Sequence, residues 1–139
     1  MATPDLVIDL DHGPTAPHRA RLALRHLLGR TADQALGRDA VLVTSELVTN
    51  AVKHTNDSCE LQAWFCEHPQ SIRVEICDAS AVLPSVPPPA PPDSLDGRGL
   101  ALVAALSTQW GAERTPTGKM VWFEIDGDRD VAAPAEASA

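Results

Sequence analysis

Alternation between apolar and polar residues is the clearest pattern along the chain. Within residues 71–77, Ile72, Val74 and Ile76 occupy every second position, and polar or small residues lie between them. This period of two is typical of a strand that buries one face. Alternating or short apolar segments predict five strands in all: 5–10, 59–66, 71–77, 109–115 and 119–126.

Apolar residues at helical spacing predict three helices and one short helical turn: 15–28, 38–54 and 97–108, with the turn at 32–36. Gly29 follows the first helix, where a glycine commonly ends a helix. The residues Pro116, Thr117 and Gly118 predict a tight turn between the last two strands. Together these elements predict an α/β (α+β) two-layer sandwich, in which about three helices cover one face of a mixed, mostly antiparallel sheet.

The chain of 139 residues has the length of one domain, which we expect to span residues 1–126. Six of its 12 prolines lie in residues 79–96. Because proline lacks an amide donor, this segment is predicted to be a long internal loop, and such loops often form lids or binding loops. The Asp/Ala/Pro-rich tail, residues 127–139, is predicted to be disordered.

Charge and cysteine content exclude several classes of protein. The chain has 11 basic and 19 acidic residues, a net charge of −8, which disfavours direct binding of nucleic acid. Its three cysteines form no CxxC pair, which argues against zinc ribbons and disulfide frameworks. The N-terminal sequence lacks the layout of a signal peptide, and no apolar run is long enough to cross a membrane. We therefore expect a cytoplasmic protein without a membrane segment.

One side of the predicted helix 38–54 carries candidate chemistry. Glu46, Asn50 and His54 are spaced four residues apart, so their side chains lie along the same side of the helix. A carboxylate one turn from an amide oxygen can hold a hydrated Mg²⁺ and orient a water or hydroxyl. The alternative is the ordinary solvent face of an amphipathic helix.

Two further candidates lie on either side of the proline-rich loop. Asp78 ends a predicted strand, where a carboxylate can accept a hydrogen bond from an exocyclic amine, although aspartates at strand ends also form turns. After the loop, Gly97, Arg98, Gly99 and Leu100 open the third helix, whose N-terminal amides attract phosphate. A lone GxG is weak evidence, and the chain contains neither a full GxGxxG nor a GxxxxGK[ST] motif.

The order of these features resembles the GHKL ATPase superfamily, and within it the small single-domain anti-sigma-factor serine/threonine kinases. The resemblance covers roughly residues 14–126 and rests on four strings: SELVTNAVKH (45–54), VEICDAS (74–80), GRGLALVAALSTQWG (97–111) and GKMVWFEI (118–125). The first and third strings are the most specific, because both their spacing and their order match.

The resemblance implies a role for each candidate. Glu46 is expected to be the general base, Asn50 to bind the Mg²⁺ that bridges the ATP phosphates, and Asp78 to accept a hydrogen bond from the adenine amine. The proline-rich loop is expected to be the ATP lid, and residues 97–100 to meet the phosphates, with Arg98 reaching the terminal one. Such proteins often dimerise, sequester a sigma factor, and phosphorylate an anti-anti-sigma protein of the STAS fold.

The chain departs from the family pattern after Asp78. The family commonly has a D-x-G-x-G run there, whereas this chain has Ala79 and Ser80, and Leu100 is followed by Ala101 instead of another glycine. A second hypothesis is therefore a non-catalytic module that sequesters a partner and keeps a degenerate or purely structural nucleotide site. A third is a plain α/β domain with an unrelated ligand.

Overall fold

The computed structural model describes residues 2–11, 13–29, 33–54, 58–80 and 98–127. These form five strands and three helices: β1 Leu6–Leu10, α1 Ala16–Leu28, α2 Gln34–His54, β2 Cys59–Glu67, β3 Gln70–Asp78, α3 Arg98–Leu106, β4 Gln109–Thr115 and β5 Gly118–Asp126. Each predicted strand is present within one residue of its predicted bounds at either end. None of the described helices is long and apolar enough to cross a membrane.

The predicted α/β sandwich is confirmed. The sheet has the order β1-β2-β3-β5-β4, and all four pairings between these strands are antiparallel. Helices α1 and α2 pack against each other and against the sheet, whereas α3 packs against α2 and β4. The layer between helices and sheet holds the largest fully buried side chains, among them Phe123, Leu24, Leu36, Leu61 and Ile76.

The prediction of a separate helical turn at 32–36 was wrong, because α2 runs without a break from Gln34 to His54. Gly37 lies between the two predicted segments, and glycine disfavours helix interiors. However, Leu36, Ala40, Val43 and Leu47 are all buried, and their spacing of four, three and four residues forms one continuous apolar face. Burial of this face keeps the helix intact through the glycine.

The face of the sheet away from the helices is organised around Arg73. Its guanidinium donates to Glu75 Oε2 at 2.9 Å and to Glu124 Oε2 at 2.6 Å, and lies 4.3 Å from the ring centre of Trp122. Burial lowers the pKa of Arg73, but the hydrogen bonds that it donates to Glu124 and Glu75, together with their negative charges, outweigh burial and leave the pKa raised. The two carboxylates therefore stabilise the charged form of this partly buried guanidinium.

Two predicted segments fall mainly outside the described residues. Of the loop predicted at 79–96, only residues 79 and 80 are described, and of the tail predicted at 127–139, only Gly127. The amide of Gly127 donates to the carbonyl oxygen of Gln70 at 2.7 Å. Gly127 is therefore bonded to the first residue of β3.

Candidate functional site

Helix α2 places Glu46 and Asn50 one turn apart. Both residues are partly buried, whereas Thr44, Leu47 and Val48 on the core side of the helix are fully or almost fully buried. Because residues four apart share one side of a helix, the carboxylate and the amide can act on the same ligand. The side chain of His54, the third residue of this series, lies outside the described residues.

The helix segment that carries Glu46 is fixed by hydrogen bonds of its neighbours. Arg21 on α1 donates to the hydroxyl oxygen of Ser45 at 2.8 Å. The hydroxyl of Thr49 donates to the backbone oxygen of Ser45 at 2.7 Å. The first bond ties α1 to α2 at the residue before Glu46, and the second lies within α2.

Asp78 is the last residue of β3 and is buried. Its Oδ1 accepts a hydrogen bond of 2.8 Å from the backbone amide of Ser80, and its Oδ2 lies 3.3 Å from Nζ of Lys119. Lys119 faces Asp78 directly in the antiparallel register of β3 and β5. The carboxylate is thus both the start of a turn, as the sequence suggested, and one half of a buried ion pair, which the sequence did not predict. Its hydrogen bond to an exocyclic amine stays a prediction.

Gly118 allows this ion pair to form. A Cβ atom at Gly118 would overlap the backbone oxygen of Asp78 and would lie 2.6 Å from Cα of Ala79. Such distances are below any normal contact, so only glycine permits β5 to start this close to the end of β3. The predicted turn at 116–118 is confirmed, and Gly118 acquires this additional role.

Helix α3 begins at Arg98, directly after the undescribed segment. Leu100 is buried in the hydrophobic core, whereas Gly97 and the side chain of Arg98 lie outside what the structure describes. Because α2 packs against both β3 and α3, the fold brings together the three elements that carry the candidate residues. The phosphate contacts of residues 97–100 remain predictions.

The residues present fit a magnesium–nucleotide ligand by their chemistry. Asn50 offers an amide oxygen and Glu46 a carboxylate, which are ligand types that Mg²⁺ accepts. Within the described ranges, no group of three or more His, Cys, Asp or Glu residues could hold a metal ion. Magnesium usually keeps waters and shares its coordination with substrate phosphates, so a single amide ligand suits a metal that arrives with its nucleotide.

Sequence analysis missed the role of Lys119, although the residue stands in the quoted string GKMVWFEI. A signal was present, because Lys119 is in phase with the buried residues Val121, Phe123 and Ile125. A charged residue on the buried face of a strand requires a partner of opposite charge. The same pattern on β3 puts Asp78 in phase with buried residues.

The three cysteines have different surroundings and are all free. Burial, with a contribution from the charge of Asp78, raises the pKa of Cys59 to about 11. Burial and the charge of Glu75 also raise the pKa of Cys77, whereas Cys66 is exposed. Cys59 is therefore a core residue, whereas Cys66 on β2 and Cys77 on β3 are nearer the surface.

A family model for the histidine kinase-like ATPase domain matches residues 9–125. The chain therefore belongs to the histidine kinase-like ATPase domain family. This confirms the predicted GHKL-type ATPase domain, and it supports an ATP-binding regulatory function.

Twelve chains of known structure match this chain. One is the histidine kinase domain from the Erythrobacter litoralis EL346 blue-light activated histidine kinase, with 21% sequence identity and a TM-score of 0.49. The match covers 87% of this chain and 64% of that one, so this chain spans less than two thirds of its relative's length. Among curated proteins there is no match.

Proposed function

We propose that this protein is a regulator that binds Mg²⁺-ATP and acts as an anti-sigma factor, with serine/threonine kinase activity toward an anti-anti-sigma protein of the STAS fold. The observation that carries the proposal is the placement of Glu46 and Asn50 one turn apart on α2, which packs against the strand that ends at the buried Asp78. Both residues are partly buried, whereas on a face turned fully to solvent they would be exposed. The sigma factor, the STAS partner and a homodimer come from the family resemblance.

Each residue has a defined task in this function. Asp78 accepts a hydrogen bond from the base amine, and Asn50 contributes its amide oxygen to the magnesium ion. Magnesium, when bound, neutralises charge on the phosphates. Glu46 accepts the proton of the partner's serine or threonine hydroxyl, which makes the oxygen a better nucleophile. Backbone amides at the start of α3 add partial positive charge for the phosphates.

The decisive experiment is transfer of labelled phosphate from ATP to purified STAS-domain proteins of the same organism. In Glu46→Gln we expect ATP affinity to stay within about twofold, and the transfer rate to fall about 10²- to 10⁴-fold, the usual contribution of a general base. The matched control is Glu67→Gln, which changes an exposed glutamate at the end of β2. If Glu46→Gln transfers phosphate at the normal rate, the assignment of the base is wrong.

A second candidate is a module that sequesters its partner without catalysis. It is favoured by the residues after Asp78, because Ser80 stands where the family often has glycine and its amide bonds back to the Asp78 carboxylate. This alternative predicts a stable complex with the partner and no change in the partner's intact mass after incubation with Mg²⁺-ATP. A mass increase of one phosphate group would eliminate it.

A further inference from the structure

The buried ammonium of Lys119 is the least expected feature of the nucleotide side of the sheet. Lys119 is only 5% exposed, and it lies on the face of β5 that otherwise buries Val121, Phe123 and Ile125. Removing a charged amine from water is costly unless charge and hydrogen bonds compensate it. An apolar residue in this position would extend the core at lower cost, so the lysine calls for a specific reason.

The hydrogen-bonding capacity of Lys119 is only partly used. An ammonium group has three N–H donors. Among the described residues, Nζ of Lys119 forms an ion pair with Oδ2 of Asp78 at 3.3 Å. The remaining donors therefore suit a ligand that brings an acceptor to the pair.

Asp78 also keeps capacity for a ligand. An ionised carboxylate has about four acceptor positions. Here Oδ1 accepts a hydrogen bond from the Ser80 amide and Oδ2 forms the ion pair with Lys119, so each oxygen has a further lone pair. The pair thus presents a hydrogen-bond acceptor directly beside a hydrogen-bond donor.

We infer that Lys119 is a second base-reading residue, which donates a hydrogen bond to purine N1 while Asp78 accepts one from the amine on the neighbouring C6. This rests on the proposed function, since it assumes that the site binds ATP through Asp78. The N1 acceptor and the C6 amine donor of adenine are adjacent, and they complement the adjacent ammonium and carboxylate. Because the pair is buried, both hydrogen bonds form in a low dielectric, which strengthens them.

The same pair rejects 6-oxopurines. Guanine and hypoxanthine carry an acceptor on C6 and a donor at N1, which is the reverse order. In the same pose the C6 oxygen would face the carboxylate, and the N1–H would face the ammonium. Lys119 therefore makes the discrimination against GTP and ITP depend on two mismatches instead of one.

The test is a cycle that combines a protein change with a ligand change. Calorimetry with Mg²⁺ measures the affinities of two nucleotides, ATP and 1-deaza-ATP, which has C–H in place of N1. Three proteins are compared: the unaltered protein, Lys119→Met and Lys119→Arg. The control is Lys53→Met, which alters the exposed lysine on α2. We expect the unaltered protein and the control to prefer ATP by about 10- to 100-fold, as for one hydrogen bond to a charged group. In Lys119→Met the ratio should fall to about one.

The outcomes separate the possible failures. If Lys119 only neutralises Asp78, Lys119→Met weakens both nucleotides equally, the ratio is unchanged, and the inference is overturned. Equal binding of ATP and 1-deaza-ATP by the unaltered protein overturns it as well, even if Lys119→Met does not fold. Lys119→Arg keeps the charge and the donors, so it should retain part of the preference. Absence of ATP binding to the unaltered protein would instead overturn the proposed function.

Discussion

Gly118 is the residue on which the junction between β3 and β5 depends. A side chain there would collide with backbone atoms of Asp78 and Ala79, which cannot rotate away. Gly111 provides a milder comparison, because its added Cβ would lie 2.9 Å from the ring of Trp122, a side chain that can shift. Both glycines avoid a clash, with backbone atoms at Gly118 and with a side chain at Gly111.

We therefore predict that Gly118→Ala destabilises the protein more than Gly111→Ala does. Overpacking against a side chain costs about 1–3 kcal/mol, and this is our expectation for Gly111→Ala in urea unfolding. Gly118→Ala should exceed that value and should also weaken ATP binding, since the Asp78–Lys119 pair lies next to it. Equal midpoints for the two variants would contradict the assigned backbone contact.

The cysteines allow a second prediction for individual residues. At pH 8, a thiol reagent should modify Cys66 rapidly in the folded protein, because it is exposed. Cys59, whose pKa is raised to about 11, and Cys77, whose pKa is also raised, hold less reactive thiolate at this pH. Their rates should keep rising through pH 9, since the thiolate fraction grows until the pH passes the pKa.

Absorbance after reaction with a chromogenic disulfide should show one fast thiol in the folded protein and three after unfolding. Cys66→Ser should remove the fast phase. Rapid modification of Cys59 in the folded protein would mean that its surroundings open more readily than its burial indicates.

Among the secondary-structure elements, α2 carries most of the proposed chemistry, and its start is well defined. Oδ1 of Asp33 accepts a hydrogen bond of 2.9 Å from the amide of Leu36, as an N-terminal helix cap does. The amide of Asp33 donates to the side-chain oxygen of Gln70 at 3.1 Å, which joins the helix start to the β2–β3 hairpin. The position of α2 over the sheet is therefore set at this end by polar contacts.

We predict that Asp33→Ala lowers the free energy of unfolding by about 1 kcal/mol, within the range of 0.5–2 kcal/mol for a lost cap. Asp33→Asn keeps an oxygen acceptor in the same place, so it should retain most of the stability. Urea unfolding of the three proteins measures both values. Equal losses in the alanine and asparagine variants would show that the charge of Asp33, and not its hydrogen bond, stabilises the helix start.

The whole molecule joins α2, the end of β3 and the start of α3 around one proposed nucleotide site. A ligand that binds only the folded state stabilises it by mass action. At ATP concentrations 100-fold above Kd the gain is about 2.7 kcal/mol, which for a chain of this size raises Tm by roughly 5–10 °C. The effect should require Mg²⁺ if Asn50 holds the metal.

We therefore expect Mg²⁺-ATP to raise Tm in the unaltered protein, and Asn50→Ala to lose most of this shift. Differential scanning calorimetry measures the shift in Tm in three conditions: ATP alone, Mg²⁺ alone and both together. Lys53→Met, an exposed position on α2, is again the control. An undiminished shift in Asn50→Ala would remove Asn50 from the metal site.

Sequence patterns were sufficient to predict the elements and their class. Alternation placed the strands because each buries one face, and the buried positions of β3 and β5 follow that period. The shared side of Glu46 and Asn50 on α2 could also be predicted, because helical spacing alone places residues four apart on one side of a helix. The break predicted between residues 36 and 38 is absent, because burial of a continuous apolar face outweighs the low helix propensity of Gly37.

Contacts between segments that are distant in sequence could not be predicted from local patterns and are defined only by the tertiary structure. Asp78 and Lys119 lie 41 positions apart in the numbering, and no local pattern states that β3 and β5 are neighbours, or that their register sets these two charges opposite each other. The role of Gly118 depends on the same register, and the bonds of Arg73 depend on strands that meet only in the folded sheet. Periodicity reports which face of an element is buried, because that is a local property, whereas the partner on that face is set by packing the whole chain.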